Sequence, residues 1–230
     1  MPDVRPDQGH ATTKLGLAAG VEDGRGFTEL RWRPAYHDLL DPDAGYTEGA
    51  QIELLDLTLR AREGESRVAL QSLDLVDIVS LTPRTDLFHP FSWSARLGWQ
   101  RRLPQGSDDD RGLLFDVTVG GGVTYRPTAH TRVYALAQVQ TAVDRELDEG
   151  YALAAGARLG MLIDPLPGWR VSLEVDTLDG LGGTDPERRR ASLAQRMTVT
   201  RNLALDLTVR RTEELGLEYD EATLGVNWYF

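Results

Sequence analysis

Apolar and polar residues alternate along most of this chain. Val171, Leu173 and Val175 interleave with Arg170, Ser172, Glu174 and Asp176, and Leu203, Leu205, Leu207 and Val209 with Ala204, Asp206, Thr208 and Arg210. The same period sets Phe115, Val117 and Val119 against Asp116 and Thr118, and Trp93, Ala95, Leu97 and Trp99 against Ser94, Arg96, Gly98 and Gln100. Successive side chains of a strand point to opposite faces, so each segment reads as a strand with one apolar and one charged face. Such segments recur about every 15 to 20 residues between clusters of Gly, Pro, Asp and Asn, which predicts about twelve strands. The expected spans are approximately 10–19, 27–35, 49–62, 67–81, 92–102, 112–125, 131–143, 150–163, 169–177, 189–200, 203–213 and 219–230. In the fourth, Leu73-Asp74-Leu75-Val76-Asp77-Ile78 breaks strict alternation and predicts a bulge.

Alternation alone fits a soluble barrel with apolar residues inside or a membrane barrel with them outside. The connections separate the two. Those after odd-numbered strands, at 22–25, 62–65, 105–110, 145–149, 182–187 and 213–216, are all acidic, whereas those at 126–130, 164–168 and 200–202 are short, Pro-containing or barely charged. An even number of antiparallel strands puts both termini on one side, the periplasmic side in bacterial barrels, so the acidic set faces outward. Trp93, Tyr125, Trp169, Trp228 and Phe230 fall at strand ends on the expected periplasmic side, where an aromatic girdle belongs, and Phe27, Trp99 and Tyr151 lie toward the other ends. The chain ends Thr223-Leu224-Gly225-Val226-Asn227-Trp228-Tyr229-Phe230, with Leu224, Val226, Trp228 and Phe230 on one face. Thr223, Gly225, Trp228 and Phe230 resemble the carboxy-terminal signal read by the bacterial barrel-assembly machinery. The expected fold is all-β, an antiparallel up-and-down transmembrane β-barrel of about 12 strands covering residues 10–230, in the bacterial outer membrane and in contact with its lipids.

Composition is compatible with this. The chain has 230 residues, 41% hydrophobic and 27% charged, and a mean hydropathy of -0.34, which suits a barrel in which only alternate residues meet lipid. No apolar run approaches the roughly 20 residues of a spanning helix. Absence of cysteine removes disulfides, thiolate metal sites and a Cys nucleophile, and a net charge of -11 argues against nucleic acid as a partner. The first ten residues lack the charged and apolar regions of an export signal. Residues 1–9 are therefore expected to be a linker from an upstream domain of a longer precursor.

Thirteen charged residues are expected to face the lumen as a polar network: Glu29, Arg31, Arg33, Asp56, Arg60, Arg96, Asp116, Arg158, Arg170, Glu174, Arg196, Asp206 and Arg210. They read either as cross-strand pairs that fill a narrow barrel or as a selectivity lining for an anionic solute, and the first is preferred because such barrels leave no wide channel. No connection is expected to serve as a constriction. The segment 33–46 is the longest connection on the periplasmic side; its His37-Asp38 pair could orient a base, but docking is the preferred role. The expected docking residues are Tyr36, His37, Asp38, Asp41, Tyr46 and His89. Ser92 lacks the glycine context of a nucleophile elbow. Gly120-Gly121-Gly122, without a phosphate-loop Lys-Ser/Thr, reads as a bend or a slot for a ring, and the acidic 176–187 stretch does not fit an EF-hand. Neither a catalytic set nor a metal site nor a cofactor is expected.

The phrases Gly9-His10-Ala-Thr-Thr-Lys-Leu-Gly-Leu, Arg33-Pro-Ala-Tyr-His-Asp-Leu-Leu-Asp-Pro-Asp-Ala-Gly-Tyr46, Gly49-Ala-Gln-Ile and Leu73-Asp-Leu-Val-Asp-Ile-Val-Ser-Leu81 carry a family resemblance. The chain resembles the carboxy-terminal barrel of bacterial proteins whose amino-terminal periplasmic part is an Lnb-type, cysteine-peptidase-like domain of unknown function. The resemblance implies a non-catalytic anchor or docking platform for that upstream domain, where any Cys and His chemistry would reside. The alternatives are a small pore with an arginine-lined lumen and an outer-membrane lipid hydrolase.

Overall fold

The structure, a computed structural model, describes residues 9–101, 113–145, 147, 149–184, 187–214 and 216–230. Most of the expected linker (1–8), the acidic connection 105–110, and Glu146, Asp148, Asp185, Pro186 and Leu215 of other acidic connections lie outside them.

The strands are β1 (Lys14–Glu22), β2 (Arg25–Arg33), β3 (Ala35–His37), β4 (Ala50–Arg62), β5 (Val68–Ser80), β6 (Ser92–Arg101), β7 (Leu113–Thr128), β8 (Thr131–Val143), β9 (Tyr151–Leu166), β10 (Trp169–Gly183), β11 (Arg188–Thr200), β12 (Leu203–Glu214) and β13 (Leu217–Tyr229). Pro34 has no N–H to give to a ladder, so it interrupts one long strand into β2 and β3, both of which pair with β4. Every neighbour is antiparallel, β13 lies on β1, and β2 meets β4. The described residues thus close into a twelve-stranded barrel.

The strands end where the sequence predicts to within a few residues, with two corrections. β1 begins at Lys14 rather than at 10, because residues 9–13 leave the ladder and bury Gly9 and His10 at the terminal rim. β10 runs to Gly183 rather than to 177; its Gly180 and Gly182 pair across a bulge with the small Ala154 and with Leu153 of β9. The expected bulge in β5 is present at Leu75, where β5 carries one residue more than β6. The inserted residue flips the alternation, which is why Asp74 and Asp77 both point inward.

Most apolar side chains face outward and most charged ones inward, with Leu39, Val79, Leu81, Tyr134, Leu136 and Leu162 forming a buried apolar cluster. On β13, Leu224, Val226, Trp228 and Phe230 are exposed, while Thr223, Asn227 and Tyr229 are buried. Leu173 and Val175 of β10 are likewise exposed beside buried Asp176. This is the membrane arrangement, inverted relative to a soluble barrel. Trp228 stacks on Phe230, with ring centroids 4.8 Å apart, at the rim that carries both termini. The expected ring slot exists on the outer face: a Cβ on Gly121 would lie 2.5 Å from the ring of Phe91, which occupies that space.

Inside, the Tyr134 ring of β8 lies across Gly160, its partner on β9, so closely that a Cβ there would stand 2.2 Å from the ring. That seat aims the Tyr134 hydroxyl at Glu174, to which it donates at 2.6 Å, beside the Arg158 Nε that donates to the same oxygen at 2.6 Å. Gly160→Val should therefore displace the ring, separate this trio and lower barrel stability by about 1–3 kcal/mol. Urea titration of the refolded barrel in detergent, read by heat-modifiable electrophoretic mobility, checks this; an unchanged midpoint contradicts it.

Candidate functional site

Charged residues brought inward by alternation must find partners, because an unpaired ion in a low-dielectric interior is costly. At the rim away from the termini, Arg60 of β4 donates to Glu22 of β1 (2.9 Å), Glu29 of β2 (2.6 Å) and Glu221 of β13 (2.6 Å). Its guanidinium also lies 3.8 Å from the centre of the Phe27 ring, which turns inward. Arg31 pairs with Glu29 (2.5 Å), and Arg210 approaches Glu221 at 3.5 Å. This one cluster fastens the first strands to the last. Across the barrel Arg96 joins Asp74 (2.5 Å) to Asp116 (2.8 Å). Between the clusters lies a polar cavity of about 240 Å³ lined in part by Arg31, Arg60, Arg62, Arg190 and Arg210. Asp56 is half-buried and faces inward.

The second concentration of charge closes the terminal rim. After β3 the chain turns into the lumen over residues 38–49 and is held there from all sides. Asp38 accepts from Lys14 of β1 (2.6 Å), Arg33 of β2 (3.0 Å) and Arg196 of β11 (2.7 Å). Asp41, wholly buried, accepts from Arg33 (2.7 Å), from Arg196 and from the Tyr229 hydroxyl of β13 (2.5 Å). Arg170 of β10 grips Asp43 and also donates to the carbonyls of Leu39 (3.2 Å) and Asp41 (3.1 Å). Arg132 of β8 and Arg126 both reach Glu48. Arg196 is itself aligned by Asp206 (2.7 Å), which Asn227 also bonds (2.6 Å). The segment is an acidic plug clamped by arginines from separate strands. Among the described residues, the ion pairs meeting at this plug link seven carboxylates, Asp38, Asp41, Asp43, Glu48, Glu53, Asp164 and Asp206, to six cations, Lys14, Arg33, Arg126, Arg132, Arg170 and Arg196.

Two expectations are corrected here. A constriction does exist, and it is this connection. Of the six expected docking residues, His37, Asp38 and Asp41 are buried inside the mouth, and Tyr46 is half-buried with its hydroxyl on the His10 carbonyl (2.9 Å). The attraction of Arg33, Arg170 and Arg196 for the carboxylates draws them in. Only Tyr36 and His89 face solvent; beside His89, the exposed Leu87 and Phe88 form an apolar tip on the β5–β6 connection. Sequence reasoning missed Asp43, Glu48, Lys14 and Tyr229 as members of the clamp; the parity of Lys14 and Tyr229 on their strands was the available signal.

Among the described residues no serine or threonine hydroxyl hydrogen-bonds a histidine ring. Ser92 is buried against Thr124, Oγ to Oγ1 2.8 Å. The His37 ring stacks on Tyr46 (4.4 Å) and approaches His10 Nε2 through its Nδ1 (3.1 Å), out of reach of lipid.

Burial would raise the pKa of the plug carboxyls, but the clamp outweighs it. Arg196, Lys14 and Arg33 hold Asp38 well below the usual carboxylate range. Asp43, opposed likewise by burial, is brought down to about 2 by the neighbouring His37 ring and by the hydrogen bonds and charge of Arg170. A carboxyl depressed in the folded state contributes stability that is present above its unfolded pKa near ~4 and is lost as pH falls through the folded value. The Arg170–Asp43 latch should therefore hold at pH 4 and fail toward pH 2. Pepsin cleavage within 38–49, normalised to the denatured barrel at each pH, should rise over that interval, and Arg170→Ala should be cut already at pH 4. Equal cleavage of both proteins at pH 4 contradicts it.

The architecture is that of known outer-membrane proteins. The NanC porin superposes with a TM-score of 0.54 at 8% identity, covering 94% of this chain and 100% of that one. An outer-membrane channel from Pseudomonas putida F1 gives 0.54 at 11% identity, covering 96% of each chain. The KdgM porin in complex with disordered oligogalacturonate gives 0.50 at 11% identity, covering 94% and 99%. At such identities the likeness concerns the fold, a bacterial outer-membrane β-barrel, in which the rim with the termini faces the periplasm. No curated protein matches the chain. A family model does, over residues 3–229, and the chain belongs to that family, DUF7840, a domain of unknown function.

Proposed function

We propose that this domain is a closed, non-catalytic outer-membrane barrel that serves as the membrane anchor and docking platform for a periplasmic domain of the same precursor. The observation that carries the reading is the clamped plug. Its carboxylates are held by Arg33, Arg196 and Arg170, and leaving a buried charge without its partner costs about 3–5 kcal/mol, so the open plug is a rare state. The surface left for a partner on that rim is Tyr36 with the tip formed by Leu87, Phe88 and His89, together with an adjacent cleft of about 480 Å³ between the plug and the β9–β10 turn. The barrel-assembly machinery is the expected partner of Thr223, Gly225, Trp228 and Phe230 during insertion.

A second reading, a small pore, is favoured by the arginine-lined cavity at the other end of the lumen. Recording in planar lipid bilayers separates the two. The intact barrel should show no steady conductance, and a variant lacking residues 38–48 should conduct. Steady conductance by the intact barrel overturns the anchor reading and favours the pore. Docking has its own measurement: Phe88→Asp should weaken association between the refolded barrel and the separately prepared upstream domain about tenfold or more, with mobility of the barrel unchanged. Undiminished affinity removes this surface from the proposal.

A further inference from the structure

The two histidines of the periplasmic mouth present an unresolved hydrogen-bonding problem. His10, in the lead-in to β1, and His37, at the end of β3, are both buried, and Asp41 beside them is fully so. His10 Nδ1 lies 2.7 Å from the Ala11 carbonyl, which can only accept, so that nitrogen carries the ring proton and Nε2 keeps its lone pair. His10 Nε2 faces His37 Nδ1 at 3.1 Å. If His37 Nδ1 donates across this gap, His37 Nε2 is left as a bare lone pair. That atom is buried without a hydrogen-bond partner, 3.7 Å from the Asp43 carboxylate, where a donor belongs. If the His37 proton sits on Nε2 instead, two lone pairs confront each other. A cation between the inner nitrogens resolves both conflicts.

We propose that His10 Nε2, His37 Nδ1 and Asp41 Oδ2 form a binding site for a divalent transition-metal ion of the zinc type, which fastens the lead-in segment to the plug. The three atoms form a triangle with sides of 3.1, 3.9 and 3.9 Å. An ion placed ~2.05 Å from both nitrogens, on the side of Asp41, lies about 2.2 Å from Oδ2, so the triangle already has the size that Zn–N and Zn–O bonds require. Two imidazoles and a carboxylate suit Zn²⁺, Cu²⁺ or Ni²⁺ better than Mg²⁺ or Ca²⁺. The outer nitrogens then have the partners that metal-bound histidines use to fix their tautomers: a backbone carbonyl for His10 and the Asp43 carboxylate for His37. Binding moves the His37 proton from Nδ1 to Nε2 and needs no other reactant.

The test uses the whole refolded barrel, stripped with chelator, and Zn²⁺ or Co²⁺ alone as the probe. Calorimetry should give one Zn²⁺ per barrel. Co²⁺ should develop the visible absorption of a low-coordinate site, abolished on adding Zn²⁺. His10→Gln and His37→Gln should each weaken Zn²⁺ binding by more than the ~10–100-fold produced by losing only a supporting hydrogen bond. His130→Gln, whose exposed ring lies outside the cluster, should bind as the parent does. His10 lies outside every strand, so His10→Gln keeps the test available if His37→Gln fails to fold, with electrophoretic mobility as the check. Absence of stoichiometric binding, or binding undiminished in His10→Gln, overturns the proposal and leaves a shared proton as the cation of the pair.

Discussion

In hydrocarbon, every backbone N–H and C=O must be bonded within the protein, and a sheet meets that demand only by closing on itself. Closure is the constraint from which the rest of this molecule follows. Once β13 lies on β1 and β2 on β4, the pleat sends alternate side chains into a space sealed from lipid, and this sequence puts charge there. Arginine answers most of it, because its planar fork can serve several carboxylates at once, as Arg60 and Arg196 each do. The ion pairs, together with a buried apolar cluster of Leu39, Val79, Leu81, Tyr134, Leu136 and Leu162, are the lumen's packing.

The plug extends the same logic to a segment outside the ladder. Residues 38–49 contribute carboxylates to a mouth already ringed with guanidinium groups, so the connection is drawn in rather than left on the rim. This distinguishes the chain from what its fold alone suggests. The architecture is shared with porins and channels, but at such low identity the lumen-facing residues are this chain's own. A barrel becomes a pore or a closed platform through the side chains that reach its axis.

The barrel was legible in the sequence because membrane strands alternate strictly, and β7, β10, β12 and β13 do so. Inward charges followed by parity alone, which is why Glu29, Arg96, Asp116 and Asp206 could be named. Asp74 and Asp77 could not, since the inserted Leu75 shifts parity midway through β5. The plug was hidden for a different reason. Asp38, Asp41 and Asp43 have no period and sit among Pro, Gly and Leu, the composition of a solvated turn, and nothing local says that Arg170 and Arg196 will reach them. The start of β1 was misread because His10 to Lys14 continues an alternation that the backbone abandons.

Tyr229, the penultimate residue, donates its hydroxyl to Asp41, 188 positions earlier in the chain. A bond of that span forms only when the last strand has met the first. Until then Asp41 lacks one donor, and the seam cluster of Arg60 with Glu221 is likewise unmade. In the closed barrel the wall and the mouth therefore share Tyr229, whose backbone pairs with β1 while its hydroxyl holds the plug.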